Sequence, residues 1–507
     1  MISAVRTAER RAVVGLLVLF AASRALYALV GVRFRAPMPF FGLHVIDHRL
    51  LEHDLWASVW HQHTQPPLFN LVLGVVLHLP GSTPVLLQGL YLATGVALTL
   101  TMFFLMRELG VPAPWAFAAT GLFTVLPVTV LYENYLYSTY PIAFLLVVSG
   151  LFLARFLRTR RSLDGLLLSV ALTLLVLTRS TYHLAWLLAV VAGVLLLARP
   201  DRRALAVTLI PAVLAIGWYA KTWVEFGTFT TSSWAGMNLA KVTLQQAPPR
   251  EIKELVRRGE LSPQALTPTF SPPETYKPLP PRTGVAVLDE RRKSTRDEAN
   301  YHHRVYVDVG ARYLDDSVRF IRAHPFEYAR MVQYSFRLFW LPGSDMSMGE
   351  PNQLHVDGLD RVVNRFLFLQ PDSYYSTEAR GFVRPVSAYA PGPGQLAWGA
   401  VVVYFTAWAG SAAAAWALLC RKQIMNRTRA VIVAFLGLTV FYVTVVANMF
   451  ELGENNRFRF ETDAAVWVVF VAMFAAILRR WRVRMGPSET QKPRLGRLPV
   501  SWPRASQ

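Results

Sequence analysis

The chain holds a single cysteine, Cys420, in 507 residues. That excludes an intramolecular disulfide framework and any site built from several thiolates. Charge is scarce too: Asp, Glu, Lys and Arg make up 17% of the sequence, where a soluble chain carries about 25%. No Gly-rich loop stands at a strand–helix junction, so soluble-nucleotide chemistry has no motif behind it. There is no internal repeat. The first apolar run lacks a small-residue cleavage site and is expected to remain as a helix rather than leave as a signal peptide.

Apolar sequence is abundant instead, with 53% hydrophobic residues. A helix needs about 20 mostly apolar residues to cross the hydrocarbon. Qualifying or nearly qualifying runs lie at 12–31, 84–106, 114–131, 141–157, 163–178, 184–198, 204–223, 396–419, 430–450 and 464–480. The expected fold is therefore an all-α polytopic membrane protein with about ten transmembrane helices. Residues 66–80 are apolar but reach only about 22 Å as a helix, so a re-entrant or juxtamembrane helix is expected there.

The net charge of +20 does not point to nucleic acid, because it sits in short basic clusters beside the apolar runs. With Arg6, Arg10 and Arg11 placed inside, alternation puts Arg107, Arg155, Arg158, Arg160, Arg161, Arg199, Arg421, Arg427 and the tail on the same side, as the positive-inside rule expects. The organisation expected is an N-terminal transmembrane module (1–224) with a first outer loop (33–83), an extracytoplasmic segment (225–395), C-terminal transmembrane helices (396–480) and a basic cytoplasmic tail (481–507). Residues 247–282 are proline-rich and expected to run extended, a helix is expected from about Leu288 to Ala323, and His324-Pro325 should end it before an amphipathic stretch at 326–340.

Polar residues without a topogenic purpose gather on the outer side, which implies a site at that membrane–water boundary. In 43–70, a helix from Ile46 would put Asp47, Asp54, Ser58 and His61 on one stripe. Asp47 and Asp54 would then be about 10 Å apart, too far to share a proton, so one acts as base and the other binds. The competing reading is that Asp47 caps a helix. Glu133, in LYENYLYSTYP, is either a further catalytic acid or part of a solvated turn. Arg179, Arg457 and Arg459 fall on the side that otherwise lacks arginine and suit phosphate oxygens. Lys241 and Arg24 are further cations. His61, Gln65, Tyr182, His183, Glu454 and Asn455 complete the candidate substrate contacts. His44, His48, His53, His61 and His63 crowd together, but no pair has a zinc-helix spacing with a clear third ligand. No cofactor is required by the sequence, and a divalent metal has no motif to support it.

This pattern resembles the GT-C superfamily of membrane glycosyltransferases, which includes protein O-mannosyltransferases and lipid A aminoarabinose transferases, in an uncharacterised family-39-type branch. The resemblance rests on a first span, an outer loop with Asp47, the Pro66-Pro67-Leu68 motif, a second acidic loop with Glu133, and an Arg-bearing loop near the C-terminus. Asp47 is followed by His48 where the family has an Asp-Glu pair, and Gln65 precedes Pro66 where His or Lys is more familiar. The resemblance implies a GT-C-type bundle with juxtamembrane helices, Asp47 as the base, and a sugar on a polyprenyl phosphate as donor. The expected activity is inverting transfer of a hexose or pentose to an envelope acceptor, whether glycan, protein or lipid. A transporter or flippase of a lipid-linked sugar and a non-catalytic membrane scaffold are the alternatives. Rich Ala and Arg usage points to a GC-rich bacterial source, hence to the inner (cytoplasmic) membrane as a multi-pass protein, with its site on the extracytoplasmic side.

Overall fold

The computed structural model describes residues 2–36, 42–198, 202–345, 350–372, 391–420 and 426–485. Among these the chain is helical, with isolated bridges at Arg35–Tyr135 and Arg292–Ala299 in place of strands. Helix α1 (Ile2–Leu29) leads to the short α2 (His48–His53), α3 (Leu55–Trp60) and α4 (Leu68–Leu77). The bundle continues with α5 (Thr83–Glu108), α6 (Ala113–Val125), α7 (Pro127–Glu133), α8 (Thr139–Thr159), α9 (Ser162–Thr178), α10 (Leu184–Ala198) and α11 (Arg202–Phe226). A polar head follows: α12 (Ala235–Val242), α13 (Pro249–Arg257), α14 (Ala286–Asp289), α15 (Val305–Ala323), α16 (Pro325–Phe339) and α17 (Glu350–Phe366). Helices α18 (Trp398–Leu419), α19 (Arg427–Phe450) and α20 (Asn455–Met485) close the bundle.

Six helices, α1, α5, α8, α18, α19 and α20, are long and apolar enough to cross a membrane. The pair α6–α7 adds a seventh if taken as one span bent by 60°. The bend has a local cause: Leu126 is extended (φ −58°, ψ 138°) before Pro127, which lacks an N–H and disfavours helix in its predecessor. Helices α9 and α10 are apolar but shorter. The chain is thus an α-helical polytopic membrane protein, with six or seven candidate spans by length and composition among the described residues, beside the ten expected.

Helices α5, α8, α18, α19 and α20 share one core, with Met102, Phe103, Leu146, Leu436 and Val468 fully enclosed. One end of this bundle is basic and laced together. Arg107 donates to Glu9, Arg158 pairs with Glu108, and Arg479 donates to the Gly110 carbonyl. The opposite end carries the head, which has its own core around Trp234, Met237, Tyr306 and Tyr313. There α12 and α15 cross backbone to backbone. A Cβ on Gly236 would overlap the Gly310 carbonyl, and one on Gly310 would overlap that of Ser233.

Three local expectations are corrected. Residues 46–61 do not form one helix: Asp54 (φ −143°, ψ 48°) separates α2 from α3, which breaks the expected stripe. The Pro-rich stretch is not wholly extended, because Pro249 occupies the first turn of α13, where its missing N–H costs nothing. Between α14 and α15 the chain is irregular, and α15 begins only at Val305. His324 does end α15, and α16 starts at Pro325.

Candidate functional site

A cavity of about 1660 Å³ opens at the head end of the bundle. It draws walls from every part of the chain: Arg35 and His44 after α1, Gln65 before α4, Tyr135 and Tyr137 before α8, and Arg179 and His183 between α9 and α10. The head contributes Trp234, Asn238 and Lys241 from α12 and its approach, with Phe270 and Tyr301 from loops. Helix α19 supplies Tyr442, Val446, Ala447 and Phe450, and the turn into α20 supplies Glu451, Glu454, Arg457 and Phe458.

Two guanidiniums dominate it, each only 7% exposed. Arg179 Nε lies 3.3 Å from Glu461 Oε1, and its Cζ stands 4.4 Å from the Phe458 ring centroid. Arg457 Nη2 donates to Glu454 Oε2 at 2.6 Å, while its Cζ stands 4.4 Å from the Tyr137 ring and 5.0 Å from Phe458. Phe458 therefore serves both cations through its π-face. Lys241 Nζ donates to Glu451 Oε1, which also accepts from Leu452 N at 3.1 Å. Among the described lining residues, Arg35, Arg179, Lys241 and Arg457 stand with two carboxylates, Glu451 and Glu454, and Glu461 adds a third from outside the lining. The surplus is positive.

Several donors in these walls carry no partner among the described residues: Arg457 Nε, Trp234 Nε1 and the Tyr137 hydroxyl. Trp234 is 1% exposed. A buried donor left unsatisfied costs about 1–3 kcal/mol, so an acceptor oxygen reaching any of these three would be favoured. Burial alone would raise the Glu454 carboxyl. Arg457, Lys241 and the Arg457 hydrogen bond outweigh it and hold Glu454 at about 2. His44 is pushed down to about 3 by burial and then by Arg457 and Arg179, so its imidazole is neutral at physiological pH. Tyr137 is raised to about 12, mainly by burial, and stays a donor.

The candidates read from sequence divide cleanly. Arg179, Lys241, Arg457, Gln65, His183 and Glu454 converge on the cavity. The three acids do not. Asp47 is buried and saturated: Oδ1 accepts from Arg49 N at 3.1 Å and Thr295 Oγ1 at 3.4 Å, and Oδ2 from Ser294 N at 2.6 Å and Ser294 Oγ at 2.8 Å. It caps α2 and pins a distant loop. Asp54 is exposed at the break between two helices. Glu133 is 1% exposed inside the bundle, where it binds Arg24 through both oxygens. Arg459 is 1% exposed and holds the Leu341 carbonyl at 2.8 Å. Its position follows from α20 beginning at Asn455: residues two apart on a helix point to different faces, so Arg457 and Arg459 cannot share a site.

Three others support rather than line. Asn455 joins Asn448 Oδ1 (3.1 Å), Glu451 O (2.9 Å) and Gly453 N (3.0 Å), setting the turn that carries Glu451 and Glu454. Tyr182 is enclosed against Trp186. His61 bonds Glu225, away from the lining. Trp234 and Asn238 were not singled out from sequence, though their spacing with Lys241 (four, then three) marks one helical face. The chain matches no protein-family model and no curated protein, so the geometry carries the functional reading alone.

Proposed function

We propose that the chain is a membrane glycosyltransferase whose donor is a sugar on a lipid phosphate. The observation that supports this reading is the make-up of one cavity. The guanidiniums of Arg179 and Arg457, the latter with an unused Nε donor, line it together with apolar residues of the membrane-long α19 and with aromatic and amide side chains. A lipid phosphate matches each part: tail along Tyr442, Val446 and Phe450, phosphate at Arg179 and Arg457, sugar toward Trp234, Asn238 and Gln65.

In the proposed reaction the bond between sugar C1 and the phosphate oxygen breaks as an acceptor hydroxyl oxygen bonds to C1 from the opposite face. The hydroxyl proton passes to a carboxylate, and the phosphate leaves with its charge held by Arg179, Arg457 and Lys241. Single displacement inverts C1. Because the hydrogen bonds on Asp47 use both of its oxygens, the proton acceptor is Glu454, whose Oε1 has no hydrogen bond among the described residues. When the phosphate takes Arg457, Glu454 loses the cation that depresses it and gains basicity. With the basic bundle end cytoplasmic, the site lies on the extracytoplasmic face of a bacterial inner membrane.

Reconstitution with a labelled polyprenyl-phosphate sugar tests this. Glu454→Gln should lower transfer by about 100-fold or more with donor still bound, and Asp47→Asn should keep transfer within a few-fold. The reverse pattern would return the base to Asp47. Movement of intact donor across the bilayer without sugar release would make the protein a transporter.

A further inference from the structure

The break at His324-Pro325 takes no part in the cavity, yet it builds a second polar cluster. His324 lies between α15 and α16 and faces α13. Its Nδ1 stands 3.4 Å from Glu251 Oε1, on α13, and 3.9 Å from Glu327 Oε2, in the first turn of α16. Each of the three offers one ligand atom, and these atoms all lie within 4.8 Å of one another.

We propose that Glu251, His324 and Glu327 form a site for a divalent transition-metal ion, with zinc the best match, that clips α13 to the α15–α16 elbow. Ligands on a tetrahedral ion with bonds of about 2.0–2.2 Å stand about 3.3–3.6 Å apart, close to the first of these separations and within a small side-chain adjustment of the second. The His324 nitrogen stands within ion-pair reach of both carboxylates at once, so the three ligand atoms converge on one place instead of forming a single pair. The charge balance agrees. Neither glutamate has a Lys or Arg partner among the described residues, whereas Glu254, one turn along α13, is paired with both Arg257 and Arg258. The two carboxylates carry a double negative charge that a dication cancels. The ring is also held in place. It stacks on Phe320 at 4.7 Å with the planes 21° apart, while the His324 N–H caps α15 by donating to the Phe320 carbonyl at 2.7 Å. One nitrogen with two carboxylate oxygens suits zinc and, less well, manganese. The partial exposure of all three side chains leaves room for a water as fourth ligand.

The test uses the full-length protein in detergent, stripped with chelator. Co²⁺ titration should give the visible band of a low-coordinate site at one equivalent, displaced by Zn²⁺, and Zn²⁺ should raise Tm. His324→Ala and Glu327→Gln should each weaken Zn²⁺ binding at least about tenfold and abolish the Tm rise. Glu251→Gln, on a separate helix, serves as the check should an elbow variant fail to fold. Wild-type protein that takes up no Co²⁺ or Zn²⁺, or variants that bind as tightly as wild type, would overturn the site.

Discussion

Two arginine–glutamate pairs, one joining positions 109 apart and the other positions three apart, are built to opposite standards. Arg24 and Glu133 fill every position. Nε and Nη2 donate to the two carboxylate oxygens at 2.8 and 2.7 Å, Nη1 donates to Thr124 O at 2.7 Å and Ser23 Oγ at 2.9 Å, and Tyr140 donates to Glu133 at 2.9 Å. Arg457 and Glu454 share one bond of 2.6 Å and leave Arg457 Nε and Glu454 Oε1 free. Both arginines have low exposure. Burial therefore does not distinguish these two pairs; completeness of hydrogen bonding does.

The largest effect should come from breaking the complete pair. Arg24→Ala strands Glu133 in the bundle and should cost about 3–5 kcal/mol, read as lost Tm and lost folded yield in detergent, with donor affinity unchanged in what folds. A variant as stable as wild type would erase the contrast. Next, Arg457→Ala should cost little stability but remove a charged hydrogen bond to ligand worth about 1.5–3 kcal/mol. At 1.4 kcal/mol per decade, that is about 10–100-fold in affinity for an anionic lipid, measurable by titration in nanodiscs. Third, Asp47→Ala removes a helix cap and should cost about 1–2 kcal/mol, with faster hydrogen exchange around Ser294 and transfer largely kept. Smallest is Arg49→Ala. The Arg49–Glu290 pair is half exposed, and its loss should stay below about 1 kcal/mol, near the limit of a thermal melt.

Much of the bundle was legible because hydrophobic length is a local property: each apolar run lies in a helix or in the bent α6–α7 pair. The arginines were legible for a related reason, since Arg179 and Arg457 stood where the topogenic bias left no other need for them. What failed depended on contacts far along the chain. Asp47 reads as an available acid until Ser294 and Thr295 fold over it, and Glu133 does so until Arg24 meets it. The Arg459 error was one of register. Taking 451–463 as a loop hid the start of α20 at Asn455, and with it the rotation that sends Arg459 inward.

The incomplete pair also governs what the cavity will accept. In the resting protein Glu454 already occupies Arg457, so an incoming anion replaces a tethered competitor rather than entering an open site. Free phosphate or a small organic acid would trade one oxyanion for another and gain little. A ligand that also lays hydrocarbon against Val446 and Phe450 adds about 25 cal/mol for each Å² it covers, and only such a molecule wins the exchange. On the proposed function, self-occupancy would act as a filter that favours membrane-borne anions over dissolved ones.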